Sequence, residues 1–456
     1  MSISKPTLNA FLAILLVAIL LASCSPLMVP TTNQELPAPT VHSLPGPTAT
    51  PEMVFIANDM RGSTITIWQA LDGELSKNLV ALLSKWELTN ELGIKVQVRS
   101  FPNHQLMAEA IEHPKAGDAL PDVILLLPQD ANAWQDRLVS LDPYLSHSSE
   151  GIASEMWLDF LRPGTNGDNP ILSLPLLRTT RVMVYNQTLA EQLGYSQPPS
   201  SLIELAKMAC AANAQWKADK DPANDGFGGL ALDTDANWQS PLAWMNANRG
   251  SGKVLDPALF NDPQNLATLS TLQKLREDGC AWLPDQGTEQ EQFAARKAIL
   301  FTADLSALQS LASTMAQAGN TDSWRAMPYP GDSPLLMTSG VNLAMMATES
   351  SKQKAGWLLT KWLLEPNQQA DLADGVGIFP VNKEAMTMIA DRTTASKDYR
   401  DVAKILLANQ ALDVAGLNGI ELGMVSDGFF IMNRSYPYIS PAQYLGSLDE
   451  QLHPNK

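Results

Sequence analysis

Residues Ile171 to Ala212 read ILSLPLLRTTRVMVYNQTLAEQLGYSQPPSSLIELAKMACAA, and their order decides the architecture. A short apolar run ends at Pro175, a second strand-like run spans Val182 to Tyr185, and a helix signal starts at Asn186. Pro198-Pro199 and the N-cap pair Ser200-Ser201 then open an amphipathic helix with Leu202, Leu205, Met208 and Ala209 on one face. Such a sequence of elements describes a crossover between two bodies. The chain before it builds most of one lobe, and the chain after it builds most of the other.

A chain of 456 residues, 45% of them hydrophobic, can bury more than one core, which agrees with two lobes. The formal charge of -17 sets the body against phosphate backbones, so nucleic acid is not an expected partner. The three cysteines, Cys24, Cys210 and Cys280, have no zinc or iron–sulfur spacing. Histidine is scarce too, and the material for a metal centre or a histidine-based catalytic site is thin.

Upstream of the crossover, the chain begins with Lys5, an apolar run from Phe11 to Ala22, and Ser23-Cys24. The run is short for a bilayer span and ends in small residues, as a signal peptide over residues 1–23 would. From Ser25 to Glu52 proline, threonine and small polar residues dominate, a composition expected of a semi-extended tether over residues 24–63. Folded sequence starts near Thr64. A strand around Ile65 and Ile67, a helix carrying Leu75, Leu79, Leu82, Leu83 and Trp86, and the alternating strand Ile94 to Val98 make a βαβ unit. A helix near Gln105 to Glu112 comes next, and the unbroken apolar run Val123 to Leu127 is a strand buried on both faces.

Several of these segments carry a family likeness. "ITIWQALDGELSKNLVALLSKWELTNELGIKVQV", "LPDVILLLPQD" and "WQDRLVSLDPYL" resemble, in this order, the opening of the family 1 extracellular solute-binding proteins, the maltose-binding-protein-like group. In the crossover, a strand ending in "LP" and then "VYN" resembles that family's hinge. Phe293 to Phe301, FAARKAILF, resembles its "F-x-x-G-K-A-A-M", with alanine and arginine in place of the glycine region; Gly377 to Val381 resembles its "G-x-x-P-V". Leu21-Ala22-Ser23-Cys24 resembles a bacterial lipobox, in which the cysteine is lipidated; an ordinary secretory peptide or a short anchor is the competing reading.

The resemblance implies an α/β, two-lobed periplasmic-binding-protein-like fold (type II), each lobe a mixed sheet flanked by helices and joined by hinge crossovers. It implies lobe I over residues 64–177 with a return at about 305–350, and lobe II over 178–304 with about 351–456. It also implies the extracytoplasmic, lipid-anchored subunit of an ABC importer, working as a monomer with permease partners and without a cofactor. That subunit would capture a sugar or oligosaccharide by hinge closure, with no bond made. The alternative is a surface lipoprotein enzyme acting on polysaccharide.

Each candidate site has a plainer reading beside it. Gly226 to Ala231 matches a loose dinucleotide fingerprint but comes after a charged loop instead of a strand, so it reads as a turn. Asp219, Asp221, Asn224 and Asp225 offer oxygen ligands without calcium-loop spacing, and a solvated acidic loop is the simpler account. Asp122 and Asp304 are carboxylates with no catalytic motif around them. For sugar binding, strand-end aromatics would stack on ring faces and nearby amides and carboxylates would take hydroxyls. The expected set is Trp68, Gln69, Gln129, Tyr185, Asn186, Trp238, Asp304, Gly340 and Phe379. Trp86, Trp134, Trp357 and Trp362, at helical spacing, read as core. Export would place Cys210 and Cys280 in an oxidising compartment, where they are expected to pair; two buried free thiols are the other outcome. Beyond Lys383 the chain shows a helix near Asp401 to Leu412 and an aromatic cluster, Phe429, Phe430, Tyr436 and Tyr438.

Overall fold

The computed structural model describes residues 53–115, 118–161, 170–250, 255–256, 259–391, 397–408, 411–413, 417–434 and 439–453. The readings for the signal peptide, Cys24 and the tether up to residue 52 lie outside these residues, as do those for Tyr436 and Tyr438; the rest of the expected tether, 53–63, is instead part of the folded body, with a helical turn Ala57–Met60 that buries Met60 in the first-lobe core and Met53 and Phe55 packed against it. Among the described residues no helix is long and apolar enough to cross a membrane.

The strands are β1 (Thr64–Gln69), β2 (Lys95–Ser100), β3 (Val123–Leu126), β4 (Leu174–Asn186), β5 (Gly228–Ala231), β6 (Ala281–Trp282), β7 (Ala298–Asp304), β8 (Trp324–Met327), β9 (Leu336–Met345), β10 (Phe379–Pro380) and β11 (Ala411–Asp413). Their order is β2-β1-β3-β9-β4-β7-β5-β6, with β8 and β10 also on β4 and β11 on β9. The parallel β1–β2 and β1–β3 pairs confirm the βαβ start, whose helix α1 (Gly73–Thr89) buries Leu79, Leu82, Leu83 and Trp86.

β4 is the spine. The crossover read as two short runs is one strand of 13 residues. Leu174 to Thr180 pair antiparallel with β9, while Arg181 to Asn186 pair with β7 and β8, so one strand belongs to both lobes. Pro175, which read as a strand end, sits inside β4 where the register shifts between Pro175 and Leu177. A bulge is one of the few places where a strand tolerates a missing N–H.

Within the polar stretch of β4, Arg178 and Thr180 stay in the strand because their side chains find partners on β4 itself and on β9. Arg178 donates to the carbonyls of Leu177 (2.9 Å) and Val341 (3.2 Å) and to Asn342 Oδ1 (2.9 Å), and the Thr180 hydroxyl donates to the Met337 carbonyl (2.8 Å).

The first lobe has a core on each face of its sheet. On one side Ile65, Ile67 and Val123 pack with α1 and Trp357; on the other Ile124, Leu126 and Met346 pack with Met107, Ile111 and Trp134. α2 (His104–Glu112) supplies Met107 and Ile111. The second lobe joins β5 to β8 and half of β4 to α3 (Leu202–Lys217), α4 (Gln239–Ala247) and α5 (Pro263–Glu277). Every residue of α4 is buried.

The late segments differ from the expected lobe assignment. α6 (Ser350–Leu363) and α7 (Pro366–Ala373) pack on α1, β1 and β9 of the first lobe, although residues 351–456 had read as second-lobe sequence. Their apolar stripe, with Ala355, Trp357, Leu359 and Leu363, covers first-lobe core. The second lobe receives only the later helices α8 (Gly419–Arg434) and α9 (Pro441–Leu452), through Leu422, Val425, Phe429, Leu445 and Leu448. β8, read within the first-lobe return, pairs with the second-lobe half of β4.

Cys210 on α3 and Cys280 just ahead of β6 are joined as a disulfide. Gly229 explains the glycine run beside it: a Cβ there would stand 1.8 Å from the Cys280 carbonyl oxygen. Gly228 and Gly229 thus serve close backbone approach at the start of β5, not a phosphate. The acidic loop is folded on itself, Asp219 accepting from Asp221 N (2.8 Å) and Asn224 Nδ2 (2.8 Å), and Asp221 from Ala223 N (3.0 Å). No group of acidic, histidine and cysteine side chains suited to a metal ion occurs among the described residues.

Candidate functional site

In open α/β sheets ligands meet the carboxyl ends of strands at a topological switch point. Here β5 and β7 end beside the shared strand β4, at a cavity of about 300 Å³. Arg181, Thr234, Asp235, Glu289, Thr302 and Asp304 are among its lining residues.

Arg181 organises this wall. One guanidinium nitrogen is 2.6 Å from Asp233, and the other lies 3.3 Å from both Asp235 and Asp304. The Arg181 side chain is 7% exposed, whereas those of Asp235 and Asp304 are 51% and 48% exposed. Burial works against the Arg181 charge, but Asp233, Asp304 and Asp235 outweigh it and hold the guanidinium above its usual range.

The two kinds of carboxylate differ. Burial alone would raise the Asp233 carboxyl; the Arg181 charge and hydrogen bonds from Ser240 and Thr302 prevail and keep it below the usual value. For Asp304 burial prevails, reinforced by the charges of Asp235 and Asp233, and the carboxyl is raised despite Arg181. Behind them Tyr329 shares a 2.7 Å hydrogen bond with Ser240, and burial raises its phenol as well. Glu289 accepts from Thr234 N (3.0 Å) and from the Thr234 hydroxyl, which fixes the loop after β5.

The expected site residues divide. Asp304 lines the cavity, Trp238 is half-buried immediately before α4, and Gln129, half-buried after β3, lies against Gly419 at the start of α8. Gly340 stands opposite Arg178 where β9 crosses β4, and a Cβ there would come within 2.1 Å of the Leu177 carbonyl oxygen. Its position serves strand crossing.

The other five are committed elsewhere. Trp68 is 2% exposed, inside the core that α2 and Trp134 build over that face, with Arg99 stacked 4.5 Å from its ring centre. Gln69 donates to Ser76 (3.2 Å) and Ser100 (2.7 Å) and accepts from Leu71 N, tying down the loop after β1. Tyr185 lies in the second-lobe core. Asn186 caps the following helical turn through Leu189 N (2.8 Å) and donates to Asp322 (2.7 Å). Phe379 is buried opposite Arg178. Asp122, weighed as a lone carboxylate, accepts from Thr66 N at 2.9 Å and holds β1 against β3.

Sequence reading missed Arg181, Asp233 and Asp235. The available signal was two arginines inside an apolar strand, since arginine is almost never fully buried unless paired.

A family model of the bacterial extracellular solute-binding proteins matches residues 87–400, more than half of the chain. A search among curated proteins finds no match. Among solved structures, the sugar-binding protein MalE from Xanthomonas citri is similar, at 18% identity and TM-score 0.69 over 85% of this chain and 96% of that one. The GacH receptor of Streptomyces glaucescens, solved unliganded and with acarbose, is similar at 16% identity and TM-score 0.64, covering 86% and 98%. UgpB from Mycobacterium tuberculosis, in complex with glycerophosphocholine, gives 17% identity and TM-score 0.65 over 86% and 98%. The fold is the two-lobed fold of these neighbours, and the chain belongs to the bacterial extracellular solute-binding proteins.

Proposed function

We propose that this solute-binding protein captures a sugar or oligosaccharide between its lobes and delivers it to the permease subunits of an ABC importer. The observation that carries this reading is the cavity at the ends of β5 and β7, where Asp235 and Asp304 present acceptors half-open to solvent; Trp238, half-buried against the second-lobe core, follows Asp235 in the chain and is proposed to turn its ring to the solute. Carboxylates accept from sugar hydroxyls, and an aromatic face covers the apolar face of a pyranose. Neighbours of the same fold are described as sugar-binding or hold acarbose, tagatose or ribitol.

Binding requires only that the solute favour the closed arrangement over the open one, so no bond is made or broken and no cofactor takes part. An enzyme acting on polysaccharide gains no support from family membership. Cys24 is the proposed lipidation site, anchoring a monomer to the outer face of the cytoplasmic membrane through the segment after it. Calorimetry across mono- and oligosaccharides tests the ligand class, with saturable heat expected for at least one sugar and none from any sugar counting against it. Fractionation tests the anchor: Cys24→Ala is expected to release the protein, and a variant that stays with the membrane would refute lipidation.

A further inference from the structure

Four carboxylates stand in or against the cavity wall: Asp233, Asp235, Glu289 and Asp304. Among the described residues that line it, Arg181 is the one cation. Arg434 approaches from α8, donating to the Thr234 carbonyl (3.3 Å) with its guanidinium over Phe430, but it does not line the cavity. The loops after β1 and β3 of the first lobe carry no lysine or arginine. Residues 70–72 and 127–130 contribute Asp72 and Asp130, while Arg99 at the end of β2 is stacked on Trp68 and Phe101.

The wall is therefore under-neutralised. Arg181 faces Asp233 at 2.6 Å, and its other terminal nitrogen is divided between Asp235 and Asp304 at 3.3 Å each. The Arg181 Nε is itself buried without a hydrogen-bond partner, so the side chain is held by its two terminal nitrogens alone. Closing lobes over half-satisfied carboxylates lowers the local dielectric and makes an unbalanced negative charge costly. A neutral sugar offers dipoles against that cost; an ammonium group offers a full charge.

Resting on the sugar reading above, we propose that the solute of this cleft is a sugar or polyol bearing a positively charged amine, its ammonium held by Asp235 and Asp304. Anionic sugars and phosphodiesters are excluded by the same wall.

Two matched probe sets test this by calorimetry at pH 7: sorbitol, glucamine and gluconate, and cellotriose beside the glucosamine trimer. The amine-bearing member is expected to bind at least tenfold more tightly than its neutral partner, and gluconate to give no heat. Raising the salt is expected to reduce the amine's affinity several-fold and leave the neutral partner's nearly unchanged. Asp304→Asn, checked for an unaltered thermal melt, is expected to shrink the amine-to-neutral ratio; the salt series on the parent protein gives the same information if that variant fails to fold. Equal or tighter binding of the neutral member overturns the charge assignment while leaving the sugar reading intact. Binding of simple amines but of no sugar overturns the sugar reading while leaving the charge assignment. Silence from every probe overturns both.

Discussion

Arg296 shows how one residue carries two opposed terms. It occupies the position where the resembled motif has glycine, and it adopts φ +60°, a left-handed backbone that costs a non-glycine residue about 1 kcal/mol. Its guanidinium offsets this by pairing with Asp322 at 3.0 Å and Gln192 at 2.7 Å. Arg296→Ala keeps the backbone cost and loses the pair, whereas Arg296→Gly loses only the pair. Urea melts should rank the glycine variant about 1 kcal/mol above the alanine variant. Equal stabilities would show that the turn is unstrained.

Asp233 makes the second prediction at this scale. Removing one partner of a buried ion pair leaves the other uncompensated, so Asp233→Ala should cost about 3 kcal/mol at pH 7. Because the folded carboxyl titrates below its unfolded value, the stabilisation is fully present above the ordinary carboxylate range. It is lost as pH falls through the lowered folded value. The gap between parent and variant melts should therefore narrow in acid, and a gap that widens would contradict the pairing. The strand-end amides Gln69 and Asn186 illustrate what the sequence could not resolve. An amide that could hold a hydroxyl can equally hold a backbone N–H, and only the neighbouring chain decides.

At the scale of elements, the βαβ start, the buried strand β3 and the helix after the crossover were legible because hydrophobic period and caps agree there. Ser201 accepts from Glu204 N at 3.3 Å, as the N-cap reading required. β4 was read as two pieces because Pro175 and the two arginines look like punctuation, while the partners of Arg178 come from β9 and those of Arg181 from Asp233, Asp235 and Asp304, all far away in sequence. The assignment of α6 and α7 failed for a related reason: an amphipathic stripe states that a helix is half-buried, not which sheet it covers. The disulfide is an element-scale staple, tying α3 to β6 across 70 residues of chain. Denatured, unreduced protein lacking Cys24 should show no reactive thiol. Reduction should cost about 4 kcal/mol in the chain-entropy account. Two reactive thiols would refute the bridge.

At the scale of the whole molecule, β4 is the one strand among those described that pairs in both lobes, and in the proposed reading the strand ends beside it form the cleft. Closure has to bring the loops after β1 and β3 toward those after β5 and β7. The buried position of Trp68 separates stability from binding here. Trp68→Ala is expected to destabilise by about 3–5 kcal/mol through lost core packing, and Trp238→Ala to weaken sugar binding by about 1–3 kcal/mol with a smaller effect on stability. Melting curves and calorimetry on the two variants check this, and the reverse pattern would return Trp68 to the site.

A second cavity, about 430 Å³, shares no lining residue with the first and is lined by Ile152, Met156, Lys361, Leu364 and Lys383 among others, so the location of the solute site can be contested directly. Amide hydrogen exchange with and without a bound sugar discriminates between the two. A solute held in the cleft predicts protection at residues 69–72, 127–130, 233–238 and 302–305, with residues 151–156 and 361–384 unchanged. Protection confined to the second set would contradict it.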